Sequence, residues 1–216
     1  MFVHLIEYRI VPGHEAEVTG FLRHEALAGL PPEGMVARYA GRRMSGAGRR
    51  HLVATAWRDA AALAAGTDSR GVPRYLARKA ELLADAQTSL YRVVAATGLG
   101  RDGARVLRVY RTSIAADAIE AWELRAQETL DGLVGRPGLW AAVAGVWAGG
   151  REVTLAPGEA GIVVLTAWTE WDLLLAATGG RLERTLIDTE ISDLERPARA
   201  DHFELLELMP AGTGTG

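Results

Sequence analysis

The stretch TAWRDAAALAAGTDS, which begins at Thr55, returns as TAWTEWDLLLAATGG from Thr166. A chain that repeats a segment in matched context builds the same local structure twice, and this constrains the fold more than any other feature. Three further pairs keep the same order. Glu7-Tyr-Arg-Ile10 pairs with Val109-Tyr-Arg-Thr112, Gly34–Gly41 with Gly138–Gly145, and Ser89–Val94 with His202–Glu207. Four matched segments in one order read as a tandem duplication. Gly98-Leu-Gly-Arg-Asp-Gly103 marks the seam, because clustered Gly punctuates structure. The expected organisation is a first repeat at 1–98, a linker at 99–103, a second repeat at 104–210 and a disordered tail at 211–216.

Each half carries the same run of periodicities. In the first, residues 2–10 alternate as a half-buried strand does. Val18, Phe21, Leu22 and Ala26 recur at helical spacing within 14–28, and Pro31-Pro32 stops that helix. Strands follow at 35–44 and 50–57, with a Gly-rich turn at Ser45–Gly48 between them. Asp59 is placed to cap a helical region running to about 85, and a strand at 89–96 closes the unit. The second half gives strands at 104–111, 139–147, 161–168 and 202–208, a helix at 115–134 and helical segments within 170–195. Its second hairpin holds an extra REVTL between Gly149-Gly150 and Pro157-Gly158. The order β-α-β-β-α-β, twice, is the ferredoxin-like unit. The fold class is therefore α+β, with two tandem ferredoxin-like repeats whose bare sheet faces cover each other as an intrachain α/β barrel.

Composition removes whole classes of function. Net charge is −3 without any long block of like charge, which argues against nucleic acid and membrane surfaces as partners. Cys is absent, excluding disulfides, thiolate nucleophiles and Cys-ligated metals. No metal-site spacing of His, Asp or Glu occurs. The N-terminus MFVHLIEYRIVPG reads as a strand rather than a targeting segment, so the expected location is the cytoplasm. Asn does not occur anywhere in the chain.

With the doubled strand end Thr55-Ala-Trp57 and Thr166-Ala-Trp168, and a last strand of the type Asp201-His-Phe-Glu-Leu-Leu206, the sequence resembles the dimeric α/β-barrel superfamily. Within it, the chain is similar to the antibiotic-biosynthesis-monooxygenase-like families, as a fused-dimer member. The resemblance implies a ligand pocket between each sheet and its own helices. It also implies a planar, largely apolar ligand, an aromatic polyketide or haem, and haem is the one cofactor it brings in. Related active sites place an Asn on the first strand, near Tyr8 or Tyr110 here, and this chain has no Asn to supply. Two readings stay open: a cofactor-independent or haem-linked monooxygenase, and a non-catalytic ligand-binding or structural pseudo-dimer, alone or further paired as a homodimer.

Candidate site residues follow from side-chain chemistry in such a pocket. His24, three residues after Phe21 near the edge of the apolar stripe, is a candidate for handling a proton or ligating haem iron. Tyr75, after Pro73, offers a phenol to a carbonyl. His4 and His51 lie on strands whose facing is open at this point. Arg38 and Tyr39 must face opposite sides of their strand, and Tyr39 is the candidate for ligand contact. Trp57 and Trp168 recur in both halves and serve the shared architecture as well as a pocket wall. The other indoles are all in the second half: Trp122, Trp140, Trp147 and Trp171. Trp122 belongs to the stripe Ile119, Trp122, Ala126, Leu130, Leu133. Trp140 and Trp147 are expected on opposite faces of one strand. An indole buries roughly 150–250 Å², so Trp122, Trp168 and Trp171 either plug the second pocket or line it for a flat ligand.

Overall fold

The computed structural model describes residues 1–26, 32–44, 50–69, 71–100, 103–150, 155–182, 186 and 198–206. Alternation of apolar residues builds eight strands: β1 (Phe2–Ile10), β2 (Met35–Arg43), β3 (Arg50–Trp57), β4 (Leu83–Thr97), β5 (Val106–Ala115), β6 (Leu139–Gly150), β7 (Glu159–Trp168) and β8 (Arg199–Leu205). Hydrogen bonding joins them into a closed ring in the order β1-β3-β2-β8-β5-β7-β6-β4. Each half thus contributes four adjacent strands. The joints differ: β4 and β6 pair from Ser89↔Gly150 to Thr97↔Ala142, whereas β2 and β8 pair only from Gly41↔Leu205 to Arg43↔Phe203. Gly41 is required at the shorter joint, where a Cβ would lie 2.8 Å from the Glu204 carbonyl oxygen.

Eight strands enclose a space that side chains can fill. Val3, Leu5, Leu52, Ala54, Tyr91, Leu107, Val109, Val143, Val163, Leu165 and Phe203 form this inner core. The other strand faces carry the helices. Over the first half lie α1 (Glu15–Phe21), continued by a π-helical turn at Leu22–Ala26, and α2 (Ala60–Gly66). Asp59 caps α2 by accepting the Ala62 N–H at 2.8 Å. Gly66 closes it, since a Cβ there would sit 2.0 Å from the Trp57 ring. Over the second half lie α3 (Ile119–Leu133) and α4 (Trp171–Ala177). The predicted stripe of α3 is the one it buries, through Trp122, Ala126, Leu130 and Leu133.

Several boundaries moved. The expected helical region to residue 85 ends at Gly66. The chain then forms a bridge at Thr67↔Pro73 and a 3-10 turn at Ala77–Leu82, and enters β4 at Leu83. Pro73 has no N–H with which to continue an α-helix. Residue matching also shifts. Phe2 pairs with Trp57 and Val106 with Trp168, so His4 corresponds to Arg108, Ile6 to Tyr110 and Glu7 to Arg111. The Tyr8–Tyr110 match is thus displaced by two residues, a slip that leaves the strand face unchanged. On β4 and β8, Arg92 pairs with Phe2 and Glu204 with Val106, which makes Leu90 the counterpart of His202. The REVTL insert apart from Leu155, the Ser45–Gly48 turn and the tail at 211–216 lie outside the described residues.

Candidate functional site

Strand pairing sets a row of polar side chains on the outer face of the first half. His4 on β1 pairs with Thr55 on β3, and Thr55 pairs with Arg38 on β2. All three point toward the helical layer, because residues across a register share a face. Tyr75 reaches down from the segment after Pro73, and its hydroxyl lies 2.7 Å from Thr55 Oγ1. Burial pushes the Tyr75 phenol up to about 12, against the opposing pull of the Thr55 bond and the Arg38 charge. Burial lowers the Arg38 guanidinium, although nearby Tyr75 acts the other way. His4 is 5% exposed, and burial holds its imidazole down at about 4. The imidazole is therefore neutral at pH 7, and its Nδ1 is buried with no hydrogen-bond partner among the described residues. Two pleat repeats further along β1, Tyr8 stacks on His51 with ring centroids 5.7 Å apart. The Tyr8 hydroxyl is also buried without a partner among the described residues, and burial, then Tyr75, raise its pKa.

The corresponding row of the second half differs. Arg108 on β5 pairs with Thr166 on β7, which pairs with Ala142 on β6, while His202 on β8 flanks Arg108 from the other side. Arg108 is fully buried, lies over the Tyr110 ring at 5.1 Å and donates from Nη2 to the Leu182 carbonyl at 3.1 Å. Trp171 meets His202 edge-on at 5.2 Å. Burial, then Arg108 and Arg43, lower His202 to about 4.

The candidate residues do not converge on one place. Tyr75, Trp57 and His51 sit in the outer layer of the first half. Tyr39 faces the barrel interior instead, packed against the inner core. His24 is exposed on the π-helical turn, away from the buried row. The indoles of the second half are dispersed. Trp122 fills the layer under α3, and Trp168 and Trp171 fill the layer at α4. Trp140 and Trp147 both pack on the inner core rather than on opposite faces. The register skips Trp140 between Leu139 and Ala141, and this bulge turns its ring inward. Sequence reading left His4 undecided and did not single out Thr55, Arg108 or His202. The doubled Thr of the TAW segments was the available pointer, because strand pairing places a charged or titratable residue beside each.

Haem is tested by the same geometry. His24, the expected iron ligand, is exposed, and an exposed imidazole offers no enclosed apolar wall to a macrocycle. The residues do not fit that group, and no step below passes through it. A cavity of about 20 Å³ lies inside the barrel.

No protein-family model matches the chain, and no curated protein matches it in sequence. Solved structures do match. A proposed monooxygenase from Lactobacillus acidophilus NCFM superposes with a TM-score of 0.70 at 11% identity, covering 98% of this chain and 96% of that one. A proposed monooxygenase from Fusobacterium nucleatum subsp. nucleatum gives 0.68 at 10% identity, over 95% and 92%. The chain shares the α+β barrel fold of these structures. An anthrone oxidase-like protein shares that fold with a TM-score of 0.61 at 12% identity, over 98% and 93%. Coverage is nearly complete on both sides, so the likeness spans both halves of the chain. Among the described residues, no helix is long and apolar enough to cross a membrane.

Proposed function

We propose that the protein is a cofactor-independent, monooxygenase-like protein that binds a planar, largely apolar hydroxyaromatic or aromatic ketone over the His4–Thr55–Arg38 row. The observation that carries this reading is the buried His4 Nδ1 without a partner among the described residues, beside the Thr55–Tyr75 hydrogen bond. A buried polar atom without a partner costs roughly 1–3 kcal/mol, and a ligand hydroxyl or enol would satisfy it. Tyr75, neutral at pH 7, donates to a substrate carbonyl, and Arg38 favours the negative charge that grows when the substrate loses a proton. The neutral imidazole of His4 is the acceptor for that proton, and Tyr8, His51 and Trp57 form an apolar and aromatic surround. With an anthrone as substrate, a ring methylene becomes a carbonyl. One atom of dioxygen enters the product and the other leaves as water with the two methylene hydrogens.

The test is oxygen uptake by the purified protein with anthrone, alongside a tryptophan-fluorescence titration of binding. Uptake that falls at least tenfold in both His4→Ala and Tyr75→Phe is the expected result. Uptake unchanged in both variants would remove this site from the reaction. A second reading, ligand binding without catalysis, is favoured by the absence of Asn from a chain with this fold. Saturable binding without oxygen uptake would select it.

A further inference from the structure

The inner face of β3 carries a different feature from its outer face. There, on the opposite side of the strand from the row, lies the cavity of about 20 Å³. Ala54 and Ala56 of the first half and Ala141 and Ala167 of the second line it, together with Val3 and Leu107. Each half therefore supplies part of the wall. The volume exceeds the roughly 10–15 Å³ that one water molecule needs, but a buried water also needs two to four polar partners. Methyl groups make up most of this lining. Thr55 borders the cavity, but its hydroxyl lies on the other face, bonded to Tyr75. Tyr39 adds a single phenol, fewer groups than a stable water requires. An apolar occupant suits this space better than water does.

We infer that the cavity is a binding site for an apolar molecule of diatomic size, and that its physiological occupant is dioxygen, held one strand's thickness behind the proposed substrate row. The dioxygen assignment rests on the oxidative reading above; the apolar-gas site does not. Small side chains keep the space open: Val3, Leu107 and Leu165 are interspersed with four Ala, where larger residues at the same inward positions would fill the barrel. The site is distinct from the sheet–helix layer and is shared by both halves.

Xenon is the probe, because it enters small dry cavities without needing polar contacts. Carbon-13 methyl spectra of alanine-labelled, full-length protein under rising xenon pressure are expected to show saturable shifts at Ala54, Ala56, Ala141 and Ala167. Shifts that are absent there, or that rise linearly across surface methyls, overturn the proposal in the wild-type protein alone. Ala54→Val, which fills the space with a residue suited to a strand, is expected to abolish saturation at the remaining methyls. Ala167→Val serves if the first variant does not fold. Persistence of saturation in a folded, filled variant also overturns the site. For dioxygen, the filled variant is expected to raise the KM for oxygen severalfold and leave the KM for anthrone unchanged. An unchanged oxygen KM overturns the dioxygen assignment. Xenon saturation in a wild-type protein with no oxygen uptake supports the apolar-gas site and overturns the assignment together with the oxidative reading.

Discussion

Across β2, β3, β1 and β4 the first half presents Arg38, Thr55, His4 and Leu90; across β6, β7, β5 and β8 the second presents Ala142, Thr166, Arg108 and His202. The Thr is common to both, while the cation moves over by two strands and the imidazole by one. The framework around them does not move. Gly34 and Gly138 both hold φ +76, and a Cβ at either would strike the helix above it, at Ala62 and Leu173 respectively, at 2.3 Å. Trp57 and Trp168 are both fully buried. Positions that fix backbone geometry are shared, and positions that carry polar chemistry differ. Two halves of one chain are free to differ where two copies of one subunit are not. Glu7 and Arg111 occupy corresponding positions, and they pair inside the barrel at 2.6 Å. An isologous dimer would bring like charges together there.

That pair offers the most severe way to break the comparison. Arg111 also contacts Asp201 at 3.3 Å, while Arg199 reaches Asp201 at 2.6 Å and Glu7 at 3.6 Å. Arg43 pairs with Asp201 as well. Arg111→Ala withdraws a cation from two buried carboxylates, and the expected loss of stability is about 3–5 kcal/mol in a denaturant titration. Glu7→Ala leaves Arg111 with Asp201 and is expected to cost less. Equal costs would show that the two carboxylates do not share Arg111.

The two imidazoles give the next largest effect. Burial is the leading cause that holds both His4 and His202 near 4, below the usual 6.5. Above pH 6.5 both the folded and unfolded states are neutral at these sites, and their contribution is constant. Between 6.5 and about 4 only the unfolded state takes up protons, so stability falls as pH falls, by on the order of 3 kcal/mol for His4 and by less for His202, whose ring solvent screens more. His4→Leu is expected to flatten the larger part of this slope in unfolding free energies measured from pH 7 to 4. An unaltered slope would mean that His4 is not buried as a neutral group.

The paired segments made the fold legible, because apolar alternation and the doubled TAW corner depend on local spacing. The site was legible only in fragments. Tyr75, Trp57 and His51 do share the outer layer of the first half, but Tyr39 faces inward and His24 faces solvent. The Tyr-Arg identity in β1 and β5 suggested a match two residues away from the paired register, and this concealed the correspondence of His4 with Arg108. Register depends on which strands become neighbours, a long-range choice that no short motif records. The Trp140 bulge is of the same kind, since one extra residue between paired positions reverses which side a ring occupies.

Trp171 separates the two α-helical corners, as Ala60 stands at its position in the first half. Its edge-on contact with His202 at 5.2 Å is of a type that contributes roughly 0.5–1.5 kcal/mol beyond area burial. Trp171→Ala is expected to lower stability by about 1–2 kcal/mol. It should also admit water to His202, raising the histidine's pKa from about 4 toward its ordinary value, as followed by imidazole proton shifts in NMR. A His202 titration identical to wild type would show that the indole is not what keeps water away.

The smallest change tests the first half alone. Tyr75→Phe removes the hydroxyl bonded to Thr55 at 2.7 Å while keeping the ring. A single neutral hydrogen bond is worth about 0.5–1.5 kcal/mol net, so stability is expected to drop by about 1 kcal/mol. Thr166 has no such phenol to lose, because its hydroxyl is buried without a partner among the described residues. Thr166→Val should therefore be neutral or mildly stabilising, while Thr55→Val should reproduce the cost of Tyr75→Phe. Double-mutant analysis of Thr55 and Tyr75 measures the coupling directly. If Thr55→Val and Thr166→Val behaved alike, the polar row would not distinguish the halves, and placing the substrate in the first would lose its physical basis.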